Sequence, residues 1–154
     1  MKVYSYQTQQ LIYTSLETCW EFFSSPLNLE KITPHKLGFK IIGKRPDKMF
    51  PGQLIQYTVS PILGLKLNWL TEITQVKEHQ YFIDEQRFGP YKLWHHQHRF
   101  KETEQGIEMI DIVEYALPFG FLGRILHKIF IRKQIEEIFI YRKKVIEELF
   151  PKKT

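Results

Sequence analysis

The sequence predicts an α+β fold in which a seven-stranded antiparallel sheet wraps around a long C-terminal helix, with two short helices between the first and second strands. Three observations predict this architecture. Segments of strand character, separated by short turns, occupy most of the chain before residue 117. An apolar period of about 3.6 residues then runs from Phe121 to Phe150 without an internal proline. Because strands that follow one another through short turns pair antiparallel, we expect the whole sheet to be antiparallel.

The N-terminal region predicts one strand followed by two short helices. Weak alternation of apolar and polar residues marks Val3–Ile12 as a strand. Thr14 or Ser15 can cap a helix over Leu16–Ser24, which has acidic residues in its early turns. A proline then starts a second helical piece, Leu27–Ile32, and the Thr-Pro step after it ends that piece.

Six further segments have strand character, and turn residues separate them. They are Leu37–Ile42, Gln53–Ser60, Leu65–Val76, Tyr81–Phe88, Tyr91–Lys101 and Ile107–Tyr115. The apolar side of the C-terminal helix is expected to consist of Leu122, Ile125, Leu126, Ile129, Ile131, Ile135, Ile138, Tyr141, Val145 and Leu149. Its polar side is expected to carry Arg124, Lys128, Arg132, Lys133 and Arg142–Lys144. Since the chain shows no linker, repeat or low-complexity stretch, we expect a single domain over residues 1–154.

The composition excludes several classes of protein. The 154 residues carry a net charge of +5, but the basic residues are scattered and accompany no nucleic-acid reading motif, so we expect no nucleic-acid partner. The single cysteine, Cys19, excludes an internal disulfide and a cysteine-only zinc site. No apolar run reaches the ~20 residues of a membrane span, and no signal-peptide pattern is present, so we expect a cytoplasmic, soluble protein. Aromatic residues make up 15% of the chain, which suits a large core or a wide apolar cavity.

One predicted strand carries the residues most capable of chemistry. Because side chains alternate along a strand, Trp94, His96, His98 and Phe100 share one face. An ordinary half-buried strand would place Val, Ile or Leu at the two central positions. Polar rings on an apolar face cost free energy unless they have partners, so we expect an acid, water, a metal or a ligand to meet these histidines.

The next strand supplies an acid. Asp111 lies on its otherwise apolar and aromatic face, and an even-numbered hairpin loop would place Asp111 opposite His96 or His98. A carboxylate beside an imidazole fixes the ring tautomer and raises the histidine pKa. Three interpretations stay open: a structural pair, recognition of the polar group of a ligand, or proton transfer in catalysis.

Two histidines in an HxH pattern with a nearby carboxylate also resemble a two-His, one-carboxylate metal site. This pattern is common by chance on strands, so we expect neither a metal nor a cofactor.

Further candidates come from the other predicted strands. A two-residue loop in the preceding hairpin would bring Glu85 onto the histidine face, whereas a shift of one residue would present Asp84 and Gln86 instead. The aromatic residues Tyr57, Trp69 and Tyr115 share strand faces with apolar residues. Core packing is one interpretation of these three residues, and contact with a ligand is the other.

The pattern Gly89-Pro90-Tyr91-x-x-Trp94-x-His96-x-His98-x-Phe100, continued in Asp111-x-Val113-x-Tyr115-x-Leu117-Pro118-x-Gly120, resembles a bacterial ligand-binding branch of the SRPBCC superfamily. Together with the order of elements, the resemblance covers nearly the whole chain. This superfamily, also called START-like or polyketide cyclase-like, has the helix-grip fold. The resemblance implies a deep apolar cavity between sheet and helix, usually for a lipid, polyketide, quinone or sterol. Some relatives are cyclases or dehydratases and others only carry ligands.

We therefore expect the protein to bind or carry a hydrophobic small molecule in an internal cavity. The alternative is a cyclase or dehydratase type of enzyme that uses His96, His98 and Asp111 for proton transfer. The segment from Leu117 to Arg124, with Lys128 after it, is interpreted either as a buried hinge or as a lip that transiently contacts a membrane surface.

Overall fold

The computed structural model describes residues 1–43, 48–62 and 64–152, and it shows a seven-stranded sheet with a long C-terminal helix. The strands are β1 (Tyr4–Ile12), β2 (Lys40–Ile42), β3 (Gln53–Ile62), β4 (Leu65–Lys77), β5 (Tyr81–Phe88), β6 (Leu93–Thr103) and β7 (Gly106–Ala116). Their order across the sheet is β1-β7-β6-β5-β4-β3-β2, and every neighbouring pair is antiparallel. The predicted α+β architecture is confirmed.

One α-helix and two 3₁₀ turns connect β1 to β2. Helix α1 (Leu16–Phe23) begins at Ser15, whose hydroxyl oxygen accepts a hydrogen bond from the Thr18 backbone N–H at 3.2 Å. In place of the predicted helix over 27–32, the chain forms a single 3₁₀ turn at Pro26–Asn28, followed by another at His35–Leu37. Proline fits the first turn of a helix because its missing N–H would have no partner there.

The C-terminal helix consists of three consecutive parts. Helix α2 (Gly120–Leu126) leads into a π-helical turn (His127–Ile131), and α3 (Arg132–Leu149) continues from that turn, giving 30 helical residues in total. A π turn bonds each N–H to the carbonyl five residues earlier, so it shifts which side chains face the sheet.

The apolar side predicted for this helix is wrong in the first part of the helix and at Leu149 near its end, which is 46% exposed. Leu122 and Ile129 are 64% and 73% exposed, and Ile125 and Leu126 are also exposed. Gly123 contacts the preceding turn instead, where an added Cβ would collide with the Pro118 carbonyl oxygen. The close approach of Gly123 to this turn therefore directs the large apolar side chains of α2 away from the sheet.

The second part of the helix packs on the concave face of the sheet, as expected. Among the buried residues of α3, Ile135, Phe139, Arg142 and Ile146 recur at intervals of three or four residues, and Gln134 is buried beside Ile135. Arg142 was expected on the polar side, and that expectation is also wrong. The same period that buries Phe139 and Ile146 places Arg142 between them.

Candidate functional site

A cavity of about 170 Å³ lies between the concave face of the sheet and α3, and the segment between α1 and β2 covers it. Its walls are largely aromatic, formed by Phe39, Tyr57, Trp69, Tyr91, Trp94 and Phe139 among others. Trp69 is central to this group, because its ring stacks on Tyr57 and meets Trp94 edge to face at 5.4 Å. The aromatic walls give the cavity an apolar interior.

The strand register brings four ionisable side chains together beside this cavity. Asp84 on β5 lies opposite His96 on β6, and His98 lies opposite Asp111 on β7. All four point to the concave face, because positions two apart on a strand share a face and partners across strands do too. Arg142 on α3 reaches the same place from the helix side.

Each carboxylate contacts both imidazoles. The His96 Nε2–H donates to Asp111 Oδ1 at 2.9 Å, and the His98 Nε2–H donates to Asp84 Oδ2 at 2.9 Å. The second nitrogen of each ring lies near the other acid: His98 Nδ1 is 2.9 Å from Asp111 Oδ1, and His96 Nδ1 is 3.4 Å from Asp84 Oδ2. The ring centroids are 3.7 Å apart. We call Asp84, His96, His98, Asp111 and Arg142 the charged cluster.

The two histidines differ in protonation although they share the same acids. Burial and the adjacent His98 charge lower the pKa of His96. Burial also acts against the charged form of His98, but hydrogen bonds to Asp111 and Asp84 raise the pKa of His98. Two rings at this separation repel each other when both are charged, so the proton is held by His98.

Both carboxylates remain ionised. Burial alone would raise the pKa of Asp111, but its hydrogen bonds with His96 and His98 hold that pKa far below the usual range. Despite its own burial, Asp84 has a pKa lowered by electrostatic interaction with the imidazole pair and by the His98 hydrogen bond. Two carboxylates, one imidazolium and the Arg142 guanidinium make the charged cluster neutral as a whole.

Three members of the cluster have the spacing of a metal site. Asp84, His96 and His98 each offer a ligand atom, and these atoms lie within 4.8 Å of one another. The Arg142 guanidinium, 3.7 Å from Asp111 Oδ1, already supplies positive charge there. A divalent cation would also have to displace the hydrogen bonds that His96 Nε2 donates to Asp111 and that His98 Nε2 donates to Asp84. The arrangement therefore favours a proton-bearing network over a metal centre.

Two N–H groups beside the cavity lack an acceptor. Within the described residues, Trp69 Nε1 and Arg142 Nε are buried without a hydrogen-bond partner, whereas His98 Nδ1, which also makes no hydrogen bond, has the Asp111 carboxylate 2.9 Å away. The Trp69 and Arg142 side chains line the cavity and are more than nine-tenths buried. A buried donor without a partner costs about 1–3 kcal/mol, so an acceptor in the cavity that reached either group would recover part of that cost.

Comparison with known proteins identifies the architecture. No protein-family model and no curated protein matches the sequence. The solved structure of TTHA0849 from Thermus thermophilus superposes with a TM-score of 0.73 at 14% identity, covering 94% of each chain. Ginseng major latex-like protein 151 from Panax ginseng gives 0.69 at 13% identity, covering 97% of this chain and 98% of that one. The Mycobacterium smegmatis protein Ms6760 gives 0.67 at 16% identity, covering 94% and 89%.

The chain has the helix-grip fold. At 13–16% identity these similarities establish the backbone fold only. They say nothing about the side chains that line the cavity of this protein.

The helix-grip sheet brings five of the predicted ligand-binding residues to the cavity. They are Tyr57, Trp69, Trp94, His96 and His98. Asp111 lies behind the two histidines rather than in the cavity wall: it accepts a hydrogen bond from His96 Nε2 and lies 2.9 Å from His98 Nδ1. Phe100 packs with α1 in a separate core cluster, and the Tyr115 hydroxyl is hydrogen-bonded to His127 Nε2 at 2.9 Å. These two residues are part of the core and not of the cavity wall.

Glu85 does not share the histidine face. It lies opposite His95 on the outer face of the sheet, where its carboxylate contacts His95 Nδ1 at 2.7 Å and Arg87 at 3.5 Å. The alternative register, which presents Asp84, is the one that forms. A register shift between β4 and β5 accompanies this arrangement.

Sequence reasoning missed the role of two cluster members. Asp84 appeared only as an alternative to Glu85, and Arg142 was assigned to the polar side of the helix. A signal for Arg142 was present in the sequence, because it stands three residues after Phe139 and four before Ile146. A charged residue at a core-facing position of a helix requires a buried partner.

Proposed function

We propose that the chain, acting as one domain over residues 1–154, binds or carries a hydrophobic small molecule in the helix-grip cavity. The observation that carries this proposal is the aromatic cavity itself, which ends at a buried charged cluster. Ligand sites are typically concave and mostly apolar, with a few polar groups that orient the ligand. The cavity has both properties.

The test is native mass spectrometry of freshly purified protein, compared with its denatured mass. We expect a discrete adduct that is lost on denaturation and that solvent extraction recovers. Ile138→Trp should remove this adduct, because Ile138 lines the cavity and its side chain is only partly buried. Ile140→Trp, on the exposed side of the same helix, is the matched control and should keep it.

An adduct that persists in Ile138→Trp, or its absence from the unaltered protein even after incubation with a cell lipid extract, would contradict the binding proposal. A metal-sized adduct that depends on His96 and His98 would instead establish the metal site.

The second candidate function is proton-transfer catalysis of the cyclase or dehydratase type. The observation that favours it is the pair of adjacent imidazoles, with ring centroids 3.7 Å apart, whose pKa values are moved in opposite directions. One ring then holds a proton while the other can accept one, which is the division of roles that acid–base catalysis needs.

The extracted ligand separates the two candidates. A carried molecule is recovered with unchanged mass after incubation with fresh protein. A substrate is converted to a product, and the conversion disappears in His98→Gln while binding remains.

We further propose that the ligand is exchanged at a membrane surface. In the described part of the chain no helix is long and apolar enough to cross a membrane. Several large apolar side chains nevertheless lie exposed at one end of the sheet, where β4 begins and β5 and β7 end. They are Leu65, Phe88, Phe119, Phe121 and Leu122, between 62% and 76% exposed. We call them the apolar end.

The chain segment that carries Phe119, Phe121 and Leu122 is basic. No acidic residue occurs between Glu114 and Glu136, a stretch that contains Arg124, Lys128 and Lys133. The Arg124 guanidinium lies 5.6 Å from the centre of the Phe121 ring. Exposed aromatic and leucine side chains beside Lys and Arg are the arrangement of helices that lie in the interface of anionic bilayers.

The exchange proposal predicts flotation with vesicles that contain equal parts of phosphatidylcholine and phosphatidylglycerol. Phe121→Asp should weaken vesicle binding roughly tenfold or more, because burying one phenylalanine contributes about 1.5–3 kcal/mol and the added charge opposes insertion. The control, Ile140→Asp, changes an equally exposed apolar residue of α3 and should bind as the unaltered protein does. Equal binding of the two variants would contradict a membrane role for the apolar end.

A further inference from the structure

We infer that the cavity ligand is a neutral molecule of about one aromatic ring, whose carbonyl-type oxygen accepts a hydrogen bond from Trp69 Nε1; Arg142 Nε is a second unpartnered donor of a side chain that lines the same cavity. This inference rests on the proposed binding function and specifies the chemistry of the ligand. Three independent properties of the site support it: the size of the cavity, the hydrogen-bonding character of its free groups, and the charge of the cluster.

The size of the cavity limits the ligand. Its volume of about 170 Å³ is close to that of a protein cavity of about 150 Å³ that accepts benzene. The Trp69 ring, with Tyr57 stacked at 5.7 Å and Trp94 at 5.4 Å, offers flat surfaces that suit another ring.

The unpartnered groups indicate what the polar end of the ligand must supply. Both are N–H donors, and neither can act as an acceptor. By contrast, the Tyr57 hydroxyl on the same wall already shares a hydrogen bond with Thr71 Oγ1 at 3.0 Å. The ligand is therefore expected to offer an oxygen rather than a hydroxyl or amine proton.

The charge of the cluster favours a ligand with a neutral oxygen over a ligand with a carboxylate. The groups that face one another are Asp84 on β5, His96 and His98 on β6, Asp111 on β7, and Arg142 on α3. With one imidazolium their charges cancel. A carboxylate ligand would add an uncompensated negative charge to a buried site, which is unfavourable unless a proton enters with it.

Three probes of nearly equal shape test these points by calorimetry: acetophenone, α-methylstyrene and benzoate. The first two differ only in the replacement of the carbonyl oxygen by a CH₂ group. We expect acetophenone to bind roughly tenfold more tightly than α-methylstyrene, the ratio that one buried hydrogen bond provides. Benzoate should bind with uptake of about one proton, seen as a dependence of the binding heat on the buffer.

Trp69→Phe removes the N–H group and keeps an aromatic ring, so it should abolish the preference for acetophenone. Trp94→Phe is the matched control, because it makes the same change in the same cavity and leaves Trp69 Nε1 intact. Circular dichroism of both variants verifies the fold. Equal binding of acetophenone and α-methylstyrene to the unaltered protein, or an unchanged preference in Trp69→Phe, would overturn the inference. Tighter binding of benzoate without proton uptake would also overturn it.

The inference and the proposed function can fail separately. If none of the probes binds but the purified protein carries a larger extracted molecule, the inference is wrong and the binding function stands. If the probes fail and no molecule is ever extracted, both are wrong.

Discussion

Replacement of Asp111 by asparagine is expected to lower the free energy of unfolding by about 3–5 kcal/mol. Asp111 accepts the His96 Nε2–H, contacts His98 Nδ1 at 2.9 Å, and lies 3.7 Å from Arg142. Asparagine has nearly the same shape, so the cost comes from the missing charge and not from a void. Without it, an imidazolium and a guanidinium remain buried with one carboxylate between them.

Urea unfolding of the purified variant measures this loss. The control is Glu108→Gln, on the same strand but outside the cluster, for which we expect a change below about 1 kcal/mol. A similar small change in Asp111→Asn would show that the cluster is not the charge-balanced network described above. Partial recovery of stability in the double variant Asp111→Asn, His98→Gln would locate the cost in the excess positive charge of the His98 imidazolium.

The stability of the protein is expected to pass through a maximum close to pH 6.5, the ordinary pKa of histidine. The folded state raises the pKa of His98, so its contribution is complete below pH 6.5 and is lost as the pH rises through the folded pKa. The folded state lowers the pKa of His96, so its contribution is present above pH 6.5 and is lost as the pH falls. The two effects oppose each other on either side of this pH.

Unfolding free energies between pH 5 and pH 8 measure the profile, because few other side chains titrate in that range. His98→Gln should remove the decline above the maximum. His96→Gln should reduce the decline below it without abolishing it, because burial also lowers the pKa of His127. A profile that rises steadily to pH 8 in the unaltered protein would contradict the assignment of the proton to His98.

Much of the fold could be predicted because it depends on short-range periodicity. The predicted bounds of β5 agree with the structure at both ends, and those of β1, β6 and β7 agree within two residues. Alternation along β6 correctly placed His96 and His98 on one face, since that property depends on the strand alone. The expectation that Asp111 would lie opposite one of them is confirmed by its pairing with His98.

Predictions that depended on how one strand or helix is positioned against another were less successful. Whether Asp84 or Glu85 joins the histidines depends on the hairpin register, and a difference of one residue exchanges the faces. The exposed side chains of α2 were assigned to the core because a single period of about 3.6 residues was applied from Phe121 to Phe150. The π turn between α2 and α3 interrupts that period. Gly123, which lacks a Cβ, approaches the Pro118 carbonyl and directs Leu122 and its neighbours outward.

The sequence by itself determined the seven strands, the first helix and the long C-terminal helix, and it determined which residues of one strand share a face. Both follow from backbone periods of about two and 3.6 residues, which need no distant partner. Only the tertiary structure decided that Asp84, Asp111 and Arg142 meet the two histidines and that the aromatic residues surround a cavity instead of filling it. These outcomes depend on the register between strands and on the rotation of the helix over the sheet, which packing of the whole chain selects.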